Sequence, residues 1–203
     1  MAQQHLLEDF IFPLTFKFRI GTIHNDFTAT DVSGKTIAFV KQRFFRFKEM
    51  NVFTDESQTT LKYHVVADKW LNFTVTYNFL KPDGTSIGRV CRKGWKSIWK
   101  ASYEIYDEND QQDLHIQEKN PWVKVFDGLL GEIPVLGIFT GYVFNPSYLV
   151  TRPDGTVVCT FKKEASFMGR LFTLSQDSDF EEGEAERVKL AVMIMALLER
   201  RRG

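Results

Sequence analysis

Several things are scarce in this chain of 203 residues, and each scarcity removes a class of protein. Two cysteines, Cys91 and Cys159, are too few for a disulfide scaffold. The four histidines, His5, His24, His64 and His115, are scattered, with none in an HExxH and none beside a cysteine at metal-ligand spacing. Nucleophile elbows, Walker loops and GxGxxG are absent, and the glycine-rich stretch Gly128 to Gly141 lacks the Lys and Ser or Thr of a phosphate loop. Bends and close packing in barrel strands account for those glycines. No catalytic motif is present, so the expectation is a protein that is not an enzyme.

Charge of one sign is also lacking. Lys plus Arg and Asp plus Glu each number 26, for a net charge of zero, which argues against a generally basic nucleic-acid binder but leaves local patches open. Met1 to Phe12 contains acids and no apolar core led by basic residues, so it does not read as a secretory signal. The expected location is cytoplasmic, at most peripheral at a membrane. On that ground the sequon Asn72-Phe-Thr74 is discounted.

What is present is a strongly apolar segment, Val188 to Leu198, built of good helix formers and without a polar side once Lys189 is passed. It is about half the roughly 20 residues a membrane span needs, so it reads as a core helix that the rest of the chain must enclose. The enclosure reads as β. Phenylalanine is abundant at 19 and proline scarce at 6, and Thr15–Ile20, Asn72–Phe79 and Ser102–Tyr106 alternate polar and apolar with period two.

The turns recur in kind. Asp31-Val-Ser-Gly34, Pro82-Asp-Gly-Thr85 and Pro153-Asp-Gly-Thr156 each place Asp ahead of a glycine, and Asp107-Glu-Asn-Asp110 is a version without one. After the three glycines an apolar residue returns at the third position (Ile37, Ile87, Val158) and at the sixth (Val40, Val90, Phe161). That odd interval predicts a bulge, or a strand covered on both faces.

Geometry joins the two parts. A barrel of about eight strands is filled by its own side chains, whereas a helix about 10 Å or more across needs more strands around it. The expected fold is therefore mostly β, a closed antiparallel barrel of about twelve strands around a buried C-terminal helix at about 184–202, in one domain spanning 1–203. Asp177, Ser178 and Asp179 offer helix caps, Glu181, Glu182, Glu184 and Glu186 crowd the first turns, and Arg200, Arg201 and Arg202 follow the last apolar residue, all complementary to the helix dipole.

Three features together resemble the tubby C-terminal-like superfamily, and within it the phospholipid scramblase and LURP-one-related group. They are the run Ile37-Ala-Phe-Val-Lys-Gln-Arg-Phe-Phe-Arg-Phe-Lys48, the hairpin before Arg89-Val-Cys-Arg-Lys93 with Trp95 and Trp99 following, and the acidic segment feeding a hydrophobic C-terminal helix. The resemblance runs from about Phe16 onward. It implies a twelve-stranded barrel around a buried helix. Tubby domains bind phosphoinositides and scramblases are linked to lipid movement and calcium, so the resemblance also implies a non-enzymatic barrel that binds anionic phospholipid.

On that reading Lys41, Arg43, Arg46 and Lys48, with Arg92, Lys93, Lys96 and Lys100, form a basic patch for lipid head groups, each cation contributing about 1 kcal/mol near an anionic surface. Half-wet strands with cations outward and aromatics inward give the same pattern. In scramblases an acidic loop before the helix is proposed to bind calcium, and Asp177, Asp179, Glu181 and Glu182 occupy the comparable place, although the loop has no EF-hand spacing and helix capping explains the same acids. No other cofactor is expected. The alternatives are a structural or regulatory protein-interaction domain with no membrane role, and third a small-molecule carrier or an enzyme. A helix inside the barrel weakens the carrier reading.

Overall fold

A computed structural model describes residues 10–19, 26–42, 49–68, 75–93, 102–119, 145–166 and 171–200. Twelve strands precede one helix among them. The strands are β1 (Leu14–Phe18), β2 (Phe27–Thr30), β3 (Thr36–Gln42), β4 (Glu49–Phe53), β5 (Leu61–Ala67), β6 (Val75–Leu80), β7 (Ser86–Lys93), β8 (Ser102–Tyr106), β9 (Gln112–Glu118), β10 (Ser147–Thr151), β11 (Val157–Glu164) and β12 (Leu171–Gln176). The helix, α1, covers Glu184–Arg200. Each strand pairs antiparallel with its sequence neighbours and β12 closes onto β1, which makes a closed up-and-down barrel. The expected fold class is the observed one.

Inward alternation builds the wall around α1. Leu14, Phe16 and Phe18 of β1 are buried while the intervening residues are not, and the same period recurs along β4, β8 and β10. Phenylalanines seam the closure: Phe161 stacks on Phe172 at 5.4 Å, and Phe16 and Phe18 meet Phe161 and Phe172 edge-on at 6.0 Å. From Val188 to Leu197 every α1 residue is buried, Met193 and Ile194 being 2% and 3% exposed. Each large apolar side chain so enclosed contributes about 1.5–3 kcal/mol relative to water, so the helix and the wall stabilise each other.

The hairpins at one end share one design. In four of them the first turn residue donates its N–H to the carbonyl four residues on (Asp31 to Lys35, Lys81 to Thr85, Asp107 to Gln111, Arg152 to Thr156). Gly34, Gly84 and Gly155 supply the required left-handed backbone, with φ of 85°, 87° and 91°, and Asp110 does so without glycine at 66°. The Asp carboxylate closes each turn by accepting backbone N–H groups, as Asp31 does from Ser33 and Lys35. The hairpin between β4 and β5 is longer, closing from Thr54 to Thr60 around Gln58 at φ 57°.

Register then slips by one in all five, leaving Ile37, Lys62, Ile87, Asp113 and Val158 as the extra residues of bulges. The bulge anticipated after the three glycines is present at all three. Its effect is to turn an additional side chain toward the barrel mouth through which α1 enters.

Candidate functional site

The charged side chains that matter most are those around α1, and they fall into three levels. At the mouth, the Arg152 guanidinium donates two hydrogen bonds to the Glu184 carboxylate, at 2.8 and 2.7 Å, and a third to the Asp179 carbonyl at 2.8 Å. Burial would raise the Glu184 carboxyl, but Arg152 and the Glu181 N–H outweigh it and hold it below the ordinary range. That N–H donates to the Glu184 carboxylate at 2.8 Å while the Glu184 backbone N–H donates back to the Glu181 carbonyl at 3.2 Å. This reciprocal pair caps the helix.

The expected caps do other work. Asp177 accepts from the Thr160 hydroxyl at 2.8 Å and the Ser178 hydroxyl donates to the Val157 carbonyl at 2.8 Å, so both tie the segment after β12 to β11. Arg187, one turn into α1, is 6% exposed and donates through Nε to Asp113 at 2.7 Å. Gly88, at φ 131°, makes room for it, since a Cβ there would meet the Tyr106 carbonyl and stand 2.8 Å from Arg187 Cδ. Burial raises the Asp113 carboxyl above its usual range in spite of Arg187.

Just inside the mouth, Lys62 and Lys189 converge. Lys189 is 5% exposed, with Nζ 4.3 Å from the Phe10 ring centroid, and Glu186 accepts a 2.7 Å hydrogen bond from the Tyr63 hydroxyl. Burial brings both ammonium groups down to about 8, with each other's charge adding to the effect at Lys62 and Glu186 opposing it at both. A partly open gap of about 10 Å³ lies between them, floored by Leu190 and Met193.

At the far end, Glu118 of β9 and Glu199 of α1 are 3% and 5% exposed. Both act on Tyr148, whose phenol is raised first by burial and then by these carboxylates. Tyr103 is likewise raised by burial and by Glu199, while Arg92 opposes the shift.

Of the expected basic patch, Lys41, Arg92 and Lys93 fall among the described residues. Arg92 pairs in register with Tyr103, which is fully buried, so its side chain belongs to the inner face of β7. Lys41 lies on the outer face of β3, its Nζ 2.9 Å from Gln58 Oε1, with β4, β5 and β6 between the two strands. These two cations do not share a surface. Lys93 closes β7 opposite Ser102, and Arg43, Arg46, Lys48, Lys96 and Lys100 lie outside the described residues.

Of the expected calcium ligands, Asp177 is hydrogen-bonded to Thr160 and Glu181 stands 3.4 Å from Arg152. Asp179 meets Arg152 through its backbone carbonyl, and among the described residues no three His, Cys, Asp or Glu side chains are grouped to hold a metal ion. Both cysteines are free and buried, the Cys159 thiol being raised by burial and then by Asp177 and Glu184. No described helix is long and apolar enough to cross a membrane.

The inward charges were hidden in the sequence because polar residues in an alternating strand are assigned to water. A bulge shifts that assignment by one residue. The register break after each turn was the available signal for Asp113, since Asp107 to Asp110 matches the other hairpins; for Lys62 the longer turn obscures it.

The fold defines a class, a closed twelve-stranded barrel filled by its own C-terminal helix. Comparison with protein-family models, with curated proteins and with solved structures finds no match.

Proposed function

We propose that the chain is a non-enzymatic, tubby-like barrel of the scramblase and LURP-one-related kind that binds anionic phospholipid head groups at one rim. Because α1 occupies the interior, recognition is assigned to the outside of the barrel. The observation that carries the reading is the unequal composition of the two ends. Every hairpin at the mouth carries at least one Asp, and the segment leading into α1 adds Asp177, Asp179, Glu181 and Glu182.

Six strands end at the opposite rim, β1 and β11 and the four strands β3, β5, β7 and β9. The sequence following those four strands contains all four tryptophans, Trp70, Trp95, Trp99 and Trp122, together with Arg43, Arg46, Lys48, Lys96 and Lys100. Tryptophan with Lys and Arg is the composition favoured at a membrane–water interface, and an acid-rich opposite end turns that rim toward an anionic surface.

Cosedimentation with liposomes of defined composition tests this. Binding to phosphatidylserine or phosphatidylinositol-phosphate vesicles should exceed binding to neutral vesicles, and should fall with added salt and in Lys93→Glu/Lys96→Glu/Lys100→Glu. Equal partitioning to both, or none to either at low salt, overturns the lipid reading in favour of a protein-interaction barrel.

A further inference from the structure

The β4–β5 hairpin is longer than the other four, and it folds back over the outside of the barrel. Glu56 in its turn accepts a 2.9 Å hydrogen bond from the Thr28 hydroxyl of β2 and pairs with the guanidinium of Arg19, the residue after β1. Gln58 accepts a 2.9 Å hydrogen bond from the Lys41 ammonium of β3. Between these anchors lies Phe39. It pairs in register with Thr28 on one side and Phe53 on the other, and all three stand on the outer face because Ala29, Ala38, Val40 and Val52 beside them are core residues. Phe39 is nonetheless only 1% exposed and lies apart from the core cluster inside the barrel. An aromatic ring on the outer face is buried to that degree only under a cover. Arg19 supplies part of it, its guanidinium 5.0 Å from the ring centroid, and the hairpin that holds Arg19, Thr28 and Lys41 supplies the rest.

We propose that this hairpin is an autoinhibitory strap, which ties down two cations, Arg19 and Lys41, that the barrel otherwise presents to anionic head groups. The inference rests on the lipid reading above and names a control on it. Arg19 follows the last residue of β1 and Lys41 is the last but one of β3, so both stand beside the rim opposite the mouth. With the strap down, Glu56 neutralises the first and Gln58 occupies the second. With the strap lifted, both cations and the Phe39 ring meet the bilayer together, charge with the head groups and ring at the interface.

The strap is built to exchange. The Arg19 and Glu56 side chains are 41% and 52% exposed, and ion pairs so open to water hold weakly, so phosphates on a bilayer offer Arg19 and Lys41 an interaction of the same kind and strength. Its turn is closed by its own bonds, Thr54 N–H to the Thr60 carbonyl and Ser57 N–H to the Asp55 carboxylate, so it moves as one piece. At its base the register slips between Val52 and Phe53, a break in the ladder at which the hairpin bends.

The test is cosedimentation of the full chain with vesicles of phosphatidylserine in phosphatidylcholine. Glu56→Gln with Gln58→Ala releases both cations by changing exposed side chains, and a circular dichroism spectrum like the parent's checks the fold. This variant should bind the anionic vesicles tighter by about fivefold or more. Adding Arg19→Gln and Lys41→Gln should abolish the gain, and a gain that persists there is the general effect of losing one carboxylate and overturns the proposal. Gln58→Ala alone changes no charge and should give part of the gain, so the test does not depend on the quadruple variant folding. A parent that binds anionic vesicles while neither strap variant gains overturns this inference alone. Absence of binding by all of them overturns the lipid reading as well.

Discussion

Arg187 Nη2 lies 2.6 Å from Asp113 Oδ2, and the two belong to elements brought together only when the barrel closes around its helix. Asp113 faces inward because it is the extra residue of the bulge after the β8–β9 turn, and Arg187 reaches it past the space left by Gly88. Turn chemistry, register and helix placement thus converge on one ion pair. Removing Arg187 leaves a part-buried carboxylate without its cation, so Arg187→Ala should cost about 3–5 kcal/mol in chemical denaturation. Replacing both partners together, as Arg187→Met with Asp113→Leu, should recover most of that loss, and a double mutant no more stable than Arg187→Ala would show that the cost does not come from the unpaired carboxylate.

The space at Gly88 gives a second expectation. A Cβ at Gly84 meets nothing within 4 Å, so Gly84→Ala pays only for its positive φ, about 1 kcal/mol. Gly88→Ala adds overlap with the Tyr106 carbonyl and with Arg187, and should cost at least 3 kcal/mol. Equal melting temperatures for the two variants would contradict the packing at this point.

Lys62 and Lys189 set the pH dependence of stability. Both have folded values of about 8 against an ordinary 10.5, so between these limits the unfolded chain binds more protons than the folded one and stability rises with pH. Tyr63, Tyr103 and Tyr148 are raised from 10.0, which turns the trend downward above about pH 10. Urea midpoints should therefore climb from pH 8 to a maximum near pH 10. Lys189→Met should be more stable than the parent at pH 7, by an amount on the order of 2–3 kcal/mol, and should flatten the climb. A parent midpoint that is level or falling across this window would contradict the placement of the two amines.

Calcium offers a fourth test. Asp177 is engaged by Thr160, and Glu181 and the Asp179 carbonyl by Arg152, so these groups tether the chain between β12 and α1. Micromolar calcium should leave the melting temperature unchanged. A rise abolished by Asp177→Ala would restore the metal-binding interpretation.

The barrel was legible in the sequence because its two main signals run through whole segments: strands such as Ser102–Tyr106 alternate with period two, and Val188 to Leu198 is apolar on every side. The Asp-Gly turns and the bulges after Gly34, Gly84 and Gly155 were legible from a fixed spacing. Individual inward charges were not. Arg92, Glu118, Lys189 and Glu199 look like solvated residues until the register or the helix places them inside, and Lys62 and Asp113 face inward only because of a one-residue slip. Capping was misplaced because Asp177, Ser178 and Asp179 match the preferred cap residues, whereas the working contact is the return of the Glu184 carboxylate to the Glu181 N–H.

The central proposal is that the rim opposite the mouth meets an anionic bilayer, and tryptophan fluorescence tests it because all four tryptophans fall in sequence that follows strands ending at that rim. Vesicles of phosphatidylserine carrying brominated acyl chains should quench the emission, with quenching lost when the anionic lipid is replaced by phosphatidylcholine and reduced at high salt as the Debye length contracts from about 10 Å at 0.1 M. Emission unchanged by brominated anionic vesicles at low salt would contradict the account.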